Sequence, residues 1–218
     1  MKRTRTPARE SLSEQAYKKI EESILTARLE PGTWITETAI SEELGIGRTP
    51  VREAAQRLAF NGLVEVVPGR GMRVTDVNAE DQIQILELRR VVEDMLVRRA
   101  LRRIAPSEVQ AMRGLARRLE NASRITDPMR FHALDLEFKG LLLQCAKHKY
   151  AESVLRPLWS ATRRFLWVHR TLENKVAFAQ LVARVIEAIV AGDETAAVRA
   201  NAARLDQLDE FVRATLDA

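Results

Sequence analysis

The stretch Gly45-Ile46-Gly47-Arg48-Thr49-Pro50-Val51-Arg52-Glu53-Ala54-Ala55-Gln56-Arg57-Leu58-Ala59-Phe60-Asn61-Gly62-Leu63 decides the fold. It predicts a turn, a helix and a stop. Gly45 and Gly47 allow a tight turn after a helix that ends near Leu44. Thr49 and Pro50 suit a first helical turn, where the missing proline N–H costs nothing. Val51, Ala54, Ala55, Leu58 and Ala59 then share one face. Arg48, Arg52 and Gln56, spaced by four, share another. Asn61 and Gly62 both tolerate the left-handed conformation that ends a helix. The result is a helix with a small apolar back and a front of two guanidinium forks and an amide. Those groups match the guanine and adenine edges of a major groove.

The flanks extend the pattern. Leu63 to Val74 reads as two short β-segments around a Gly69-Arg70-Gly71 tip, a hairpin wing. Thr36 suits an N-cap for a helix over Glu37–Leu44. Trp34-Ile35 forms a short strand able to pair with the wing, and Pro31-Gly32 breaks a first helix running from Ser11 to Arg28. Its stripe is Leu12, Ala16, Ile20, Ile24 and Leu25. Helix, turn, helix and wing form a DNA-binding arrangement. A charged helix face alone is ordinarily just solvated; here its neighbours make the difference. Thr49 and the helix N-terminus can hold a phosphate through N–H groups. Arg70 can enter a minor groove, with Gly69 and Gly71 permitting close backbone approach. Between Glu10 and Asn78 acidic residues outnumber basic ones, so the DNA-facing side is marked by the placement of Arg48, Arg52, Arg70 and Arg73 rather than by net charge.

The whole chain has 218 residues, room for one large domain or two small ones. Its 46% hydrophobic content suits a soluble globule, and its charge of +5 suits a polyanion only weakly. Part of that charge lies in Lys2, Arg3, Arg5 and Arg9, a flexible basic tail over residues 1–10. No apolar run reaches the length of a membrane span, and the N-terminus carries no signal-peptide core. The single Cys145 excludes an internal disulfide and fits a reducing cytoplasm.

A polar stretch, Asp76 to Asp81, places a boundary between residues 11–76 and 77–218. Beyond it nearly every window is helical. The expected helices are about 78–104, 106–123, 127–146, 150–172, 174–191 and 193–216. Pro157 is a possible interruption. They should form an all-α antiparallel bundle. In the first of them Ile83, Leu86, Leu88, Val91, Val92, Met95 and Leu96 are expected inside; Trp159, Phe165 and Trp167 should belong to the core or its lining. The fold class is thus mainly α, a winged helix-turn-helix followed by a helical bundle. There is no Ser/His/Asp set, activated Cys, phosphate-cradling loop or purposeful carboxylate pair, so an enzyme is disfavoured. An architectural DNA binder without effector is a minor alternative.

Leu29–Ile35, Gly47–Ala54 and Asn61–Val64 together resemble the GntR family of bacterial transcriptional regulators, over residues 12–75. The second half resembles the FCD-type effector domain of the FadR subfamily, over residues 79–216. That likeness rests on Glu87-Leu88-Arg89 with Glu93, Asp135 with Phe138, and Ile186–Asp193. The resemblance implies a cytoplasmic, homodimeric regulator that binds a two-fold related double-stranded operator under control of a small effector. One departure is Thr38, where the family often has Arg, so the operator need not be the family's common one.

The resemblance also implies a divalent metal held by Asp, His four residues later, and one His on each of the last two helices. Asp135 matches that pattern. Lys139, Val182 and Arg204 stand at the other three positions, so no bound metal and no cofactor is expected. His132, three residues before Asp135, makes at most a second ligand; His148 and His169 lie elsewhere. The expected effector set is Arg89, Asp135, Lys139 and Arg204, where the fixed positive charge either grips a carboxylate or phosphate effector, an organic acid first, or pairs with Asp135. Arg98 and Arg163 are further candidates. The competing reading makes Asp135–Lys139 an ordinary surface pair and leaves Arg204 solvated.

Overall fold

Small side chains let the helix over residues 48–60 approach its neighbours closely, and this sets the architecture of the first part of the chain. The computed structural model describes residues 10–121, 128–169 and 175–216. The chain divides into two compact units: residues 1–77 with 163–168, and residues 78–162 with 169–218.

The first unit begins with α1 (Leu12–Leu25), capped by Ser11, whose hydroxyl accepts from the Glu14 N–H at 3.2 Å. This helix stops three residues before the expected Arg28. The Thr26 hydroxyl turns back onto the Glu22 carbonyl, and Ala27 takes a positive φ of 52°. Strand β1 (Trp34–Ile35) leads to α2 (Glu37–Leu44), where Thr36 Oγ1 accepts from the Ala39 N–H as the sequence suggested. Gly45, left-handed at φ 63°, closes α2. Then come α3 (Arg48–Phe60), β2 (Val64–Val67) and β3 (Gly71–Val74). The strands form one antiparallel sheet in the order β1-β3-β2, with Ile35 opposite Met72 and Val66 opposite Met72 on the other side. Ala16, Ile20, Ile24, Val51, Ala54, Leu58, Leu63, Met72 and Val74 form the core under it. Each fully buried Ile or Leu contributes about 1.5–3 kcal/mol.

The second unit contains α4 (Ala79–Arg103), α5 (Pro106–Glu120), α6 (Pro128–Ala146), α7 (Lys149–Val168, its last turn clustering with the first unit), α8 (Lys175–Ala191) and α9 (Glu194–Leu216). The expected ends at Ser123, Asp127, Leu172 and Asn174, and residues 1–9 of the basic tail, lie outside the described residues. Pro157 sits inside α7 without interrupting it. Helix α4 packs on α6 and α9, α8 on α5 and α9. Leu96, Val97, Leu115, Phe138, Leu142, Leu155 and Ile186 fill the centre.

One expectation about α4 is overturned. Leu86 and Leu96 are buried, but Leu88, Val91 and Met95 are exposed. The face that α4 turns inward carries Gln82, Leu86, Arg89, Glu93, Leu96, Val97 and Ala100. Arg89 and Glu93 are admitted there because each satisfies the other's charge; the apolar trio is displaced to the opposite face. Among the described residues no helix is long and apolar enough to cross a membrane.

Candidate functional site

Two sets of polar side chains stand out, one in each unit. In the first, Val51, Ala54, Ala55 and Leu58 anchor α3 in the core. That fixes Arg48, Thr49, Arg52 and Gln56 on its exposed side. No side chain caps α3 at Gly47, so its first N–H groups remain available to an acceptor. Arg52 is not a free fork. Its Nε lies 3.1 and 3.0 Å from the two Glu37 oxygens and its Nη2 2.9 Å from Oε2, although its side chain is 66% exposed. Glu37 of α2 therefore orients Arg52. The hydrogen bond with Glu37 comes first among the effects that raise the guanidinium pKa.

At the wing, Gly69 and Arg70 are exposed, with Gly69 at φ 75°. The Arg70 guanidinium stacks 5.1 Å from the ring centroid of Trp34, which is 46% exposed. Gly71 has a structural duty that the sequence reading gave to DNA approach. Its φ is 104°, and a Cβ there would overlap the Ile35 carbonyl oxygen of β1. Arg73 is held by Asp76, at 2.9 Å, rather than presented outward.

The second set is a buried charge cluster drawn from α4, α6, α7 and α9. Arg89 Nε donates to Glu93 Oε1 at 2.7 Å and Arg89 Nη1 to Thr162 Oγ1 at 3.0 Å. Arg204 Nη2 donates to Glu93 Oε2, and to Asn201 Oδ1 at 2.9 Å. Trp159 Nε1 adds a third donor to the Glu93 carboxylate, 2.7 Å from Oε1. Lys139 Nζ lies 2.5 Å from Asp135 Oδ2 and 5.6 Å from the Trp159 ring centroid. The Arg204 guanidinium lies over the Phe138 and Phe178 rings, at 5.7 and 5.9 Å.

The reading of these residues as a solvated surface pair fails, since Asp135, Lys139 and Arg204 are all buried. Burial alone would push the Glu93 carboxyl up; Arg89 and Arg204 outweigh it and hold it at about 2. Burial also raises Asp135, and Lys139 more than reverses that. Burial lowers Lys139 to about 8, helped by Arg89 and Arg204 and opposed by Asp135. Arg89, Lys139 and Arg204 against Glu93 and Asp135 leave one net positive charge. Arg89 Nη2, Arg204 Nε and Nη1, and Asp135 Oδ1 are buried without a hydrogen-bond partner.

These residues do not fit a divalent metal. Asp135 is taken by an ammonium, Arg204 brings a second cation, and Val182 offers no donor atom. Arg98 pairs near the surface with Asp94 and Glu194, and Arg163 falls in the first unit, so neither joins the cluster. The sequence reading missed Glu93, Trp159, Thr162 and Asn201 as parts of it. The one available signal was Glu93 four residues after Arg89, a helical ion-pair spacing. It also missed Glu37 and Trp34 as supports of Arg52 and Arg70.

A helix-turn-helix with a wing, followed in the chain by a unit with six helices among its described residues, defines a DNA-binding regulator. Residues 12–74 match the bacterial regulatory proteins of the gntR family, and residues 84–207 match the FCD domain. The chain belongs to the GntR family and carries an FCD domain; it is a transcriptional regulator, not an enzyme. It is 26% identical over 206 residues to the HTH-type transcriptional repressor RspR of Escherichia coli K12, covering 93% of this chain and 89% of that protein. A shorter match, 32% identical over 134 residues, joins it to an uncharacterised HTH-type regulator of Agrobacterium vitis, covering 60% and 78%. In fold it is similar to E. coli McbR/YncC, with a TM-score of 0.83 at 19% identity over 95% of this chain and 100% of that one. A GntR-type regulator from Rhodococcus sp. RHA1 gives 0.71 at 21% identity, covering 94% and 99%.

Proposed function

We propose that residues 11–76 bind one operator sequence and that residues 77–218 bind a small anionic effector and pair two chains, in the cytoplasm. Arg48, Arg52 and Gln56 read base edges, Thr49 and the uncapped start of α3 hold a phosphate, and Arg70 between Gly69 and Gly71 enters the minor groove. The pairing of two chains matches a two-fold related operator.

The observation that carries the effector reading is the set of unpaired guanidinium N–H groups on Arg89 and Arg204, buried beside one surplus positive charge. Buried donors of this kind cost about 1–3 kcal/mol each when left unmade. A carboxylate bound to them removes that cost. The unpaired Asp135 Oδ1 asks for a donor, so the effector reading favours a singly charged carboxylic acid that also carries a hydroxyl.

The test has two arms. Selection from random duplexes should enrich one sequence, and Arg48→Ala or Arg52→Ala should lower affinity for it by about tenfold or more. Neither change should shift the melting temperature, since both side chains are exposed. A thermal-shift screen of small hydroxycarboxylic acids should find a stabilising ligand. Arg204→Lys keeps a cation against Glu93 but removes the fork, and should weaken that ligand about tenfold or more. Unchanged operator affinity in the α3 variants would reject the DNA face. An equally strong thermal shift with Arg204→Lys would reject the anion site.

A further inference from the structure

Several arginines of the first unit are held by carboxylates. Glu37 holds Arg52 and Glu14 holds Arg57, at 2.9 and 2.8 Å. Asp76 at 2.9 Å and Glu65 at 4.0 Å hold Arg73. Arg70 at the wing tip differs. Among the described residues it makes no ion pair, and its guanidinium lies against the Trp34 ring instead. A carboxylate would cancel the charge of Arg70 and occupy its N–H groups. An indole does neither, since it carries no negative charge and no acceptor atom. Trp34 thus holds the cation in place and leaves its charge whole.

The sheet explains how a tryptophan comes to stand there. Side chains alternate between the faces of a strand. Ile35 is buried in the core opposite Met72, so Trp34 falls on the outer face. There it is in register with Arg73 of β3 and, beyond it, Glu65 of β2. Strand β1 is an edge of the sheet, which leaves the ring half in water beside the hairpin tip. That position bears on what the wing selects. A narrow minor groove has an enhanced negative potential that draws in a guanidinium, and A·T runs have such a groove. A guanine 2-amino group puts a donor on the groove floor, where it opposes the N–H groups of arginine. A loose arginine gives up much rotamer freedom on entering the groove. One already stacked on Trp34 has given it up on folding. Water leaves the groove as the wing docks, and a cation–π contact strengthens when desolvated.

We propose that Trp34 is a positioning residue for DNA recognition: by holding Arg70 without neutralising it, Trp34 makes the wing select a narrow, A·T-rich minor groove. This rests on the reading of Arg70 as the residue that enters the minor groove, and adds what aims it and which groove it takes.

The experiment repeats the selection from random duplexes with the full chain and with Arg70→Ala, Trp34→Leu and Trp34→Phe. The wild type should enrich a short A·T run that Arg70→Ala no longer requires, and that run marks the footprint of the wing. Trp34→Leu keeps an apolar side chain without a π face. It should lose the same run and weaken operator affinity about threefold to tenfold, at an unchanged melting temperature. Trp34→Phe keeps a ring, and should retain the run and most of the affinity. On top of Arg70→Ala, Trp34→Leu should cost nothing more. Inosine·cytosine pairs lack the 2-amino group and should replace A·T in the run, where G·C pairs should not. If Arg70→Ala changes neither the run nor the affinity, the wing reading fails and the proposal with it. If Arg70→Ala relaxes the run but Trp34→Leu does not, or if Leu and Phe behave alike, the role of Trp34 alone is overturned. A Trp34→Leu chain that melts lower and binds every duplex less well has a structural role only, which also overturns it. A run that takes G·C as readily as inosine·cytosine overturns the choice of groove.

Discussion

Glu93 is wholly enclosed, and a lone carboxylate could not stay ionised there. Three donors make it possible: two guanidinia and the Trp159 indole N–H. Replacing it with glutamine keeps the shape but leaves Arg89 and Arg204 buried without a counter-charge. Glu93→Gln should therefore destabilise the chain by about 3–5 kcal/mol, read from the urea midpoint at neutral pH. The acid side gives an independent check. The folded carboxyl sits at about 2 against an ordinary 4.5, so its contribution is fully present above pH 4.5. It is lost as pH falls through that window, because the unfolded chain takes up the proton first. Part of the wild type's loss of stability between pH 4.5 and 2 should be absent in Glu93→Gln. An equal slope in both proteins would mean that Glu93 is not held ionised by its neighbours.

The wing is joined to the rest of its sheet through a point where no side chain fits. Strand β3 pairs with β1 at Ile35 and Met72, and the Gly71 α-carbon faces the Ile35 carbonyl at a positive φ. Gly71→Ala must push the strands apart, at a cost above about 2 kcal/mol, and should lower thermal stability and operator affinity together. Gly69 has the same sign of φ but open space around it, so Gly69→Ala should cost only about 1 kcal/mol. Comparable destabilisation by the two would show that the approach to β1 is not what requires Gly71. The contrast also marks the limit of what the sequence revealed. The cap at Thr36, the α3 faces and the wing follow from neighbours within a few residues, and all were legible; the Ser11 cap was not, since the sequence reading put Ser11 inside the helix. Gly69 and Gly71 looked alike because only the fold brings Ile35 to one of them. Arg52 and Glu37 come from different helices, and Glu93 meets Trp159 and Arg204 across long separations in the chain. Local periodicity carries none of that. In α4 it misled outright: an apolar stripe was assigned to the core, while the core accepted an ion pair in its place.

At the level of the molecule, an effector matters only if its binding free energy differs between the state that grips the operator and the state that does not. That difference is shared by both ligands. Whatever factor the effector imposes on operator affinity, the operator must impose on effector affinity. Such coupling is typically about 5–150-fold, well within reach of titration. The effector's dissociation constant should therefore change by one and the same factor when saturating operator duplex is added and when the titration is run in reverse. With Arg48→Ala, which leaves the buried cluster untouched, the duplex should no longer alter it. Unequal factors would mean that a third component, such as a change in the pairing of chains, is hidden in one titration. The two can be separated by repeating both titrations over a range of chain concentrations. If pairing carries the coupling, chains diluted until they are single should still bind the acid through Arg89 and Arg204 yet transmit nothing to the operator. If each chain couples its two ligands alone, the factor should survive the loss of the dimer.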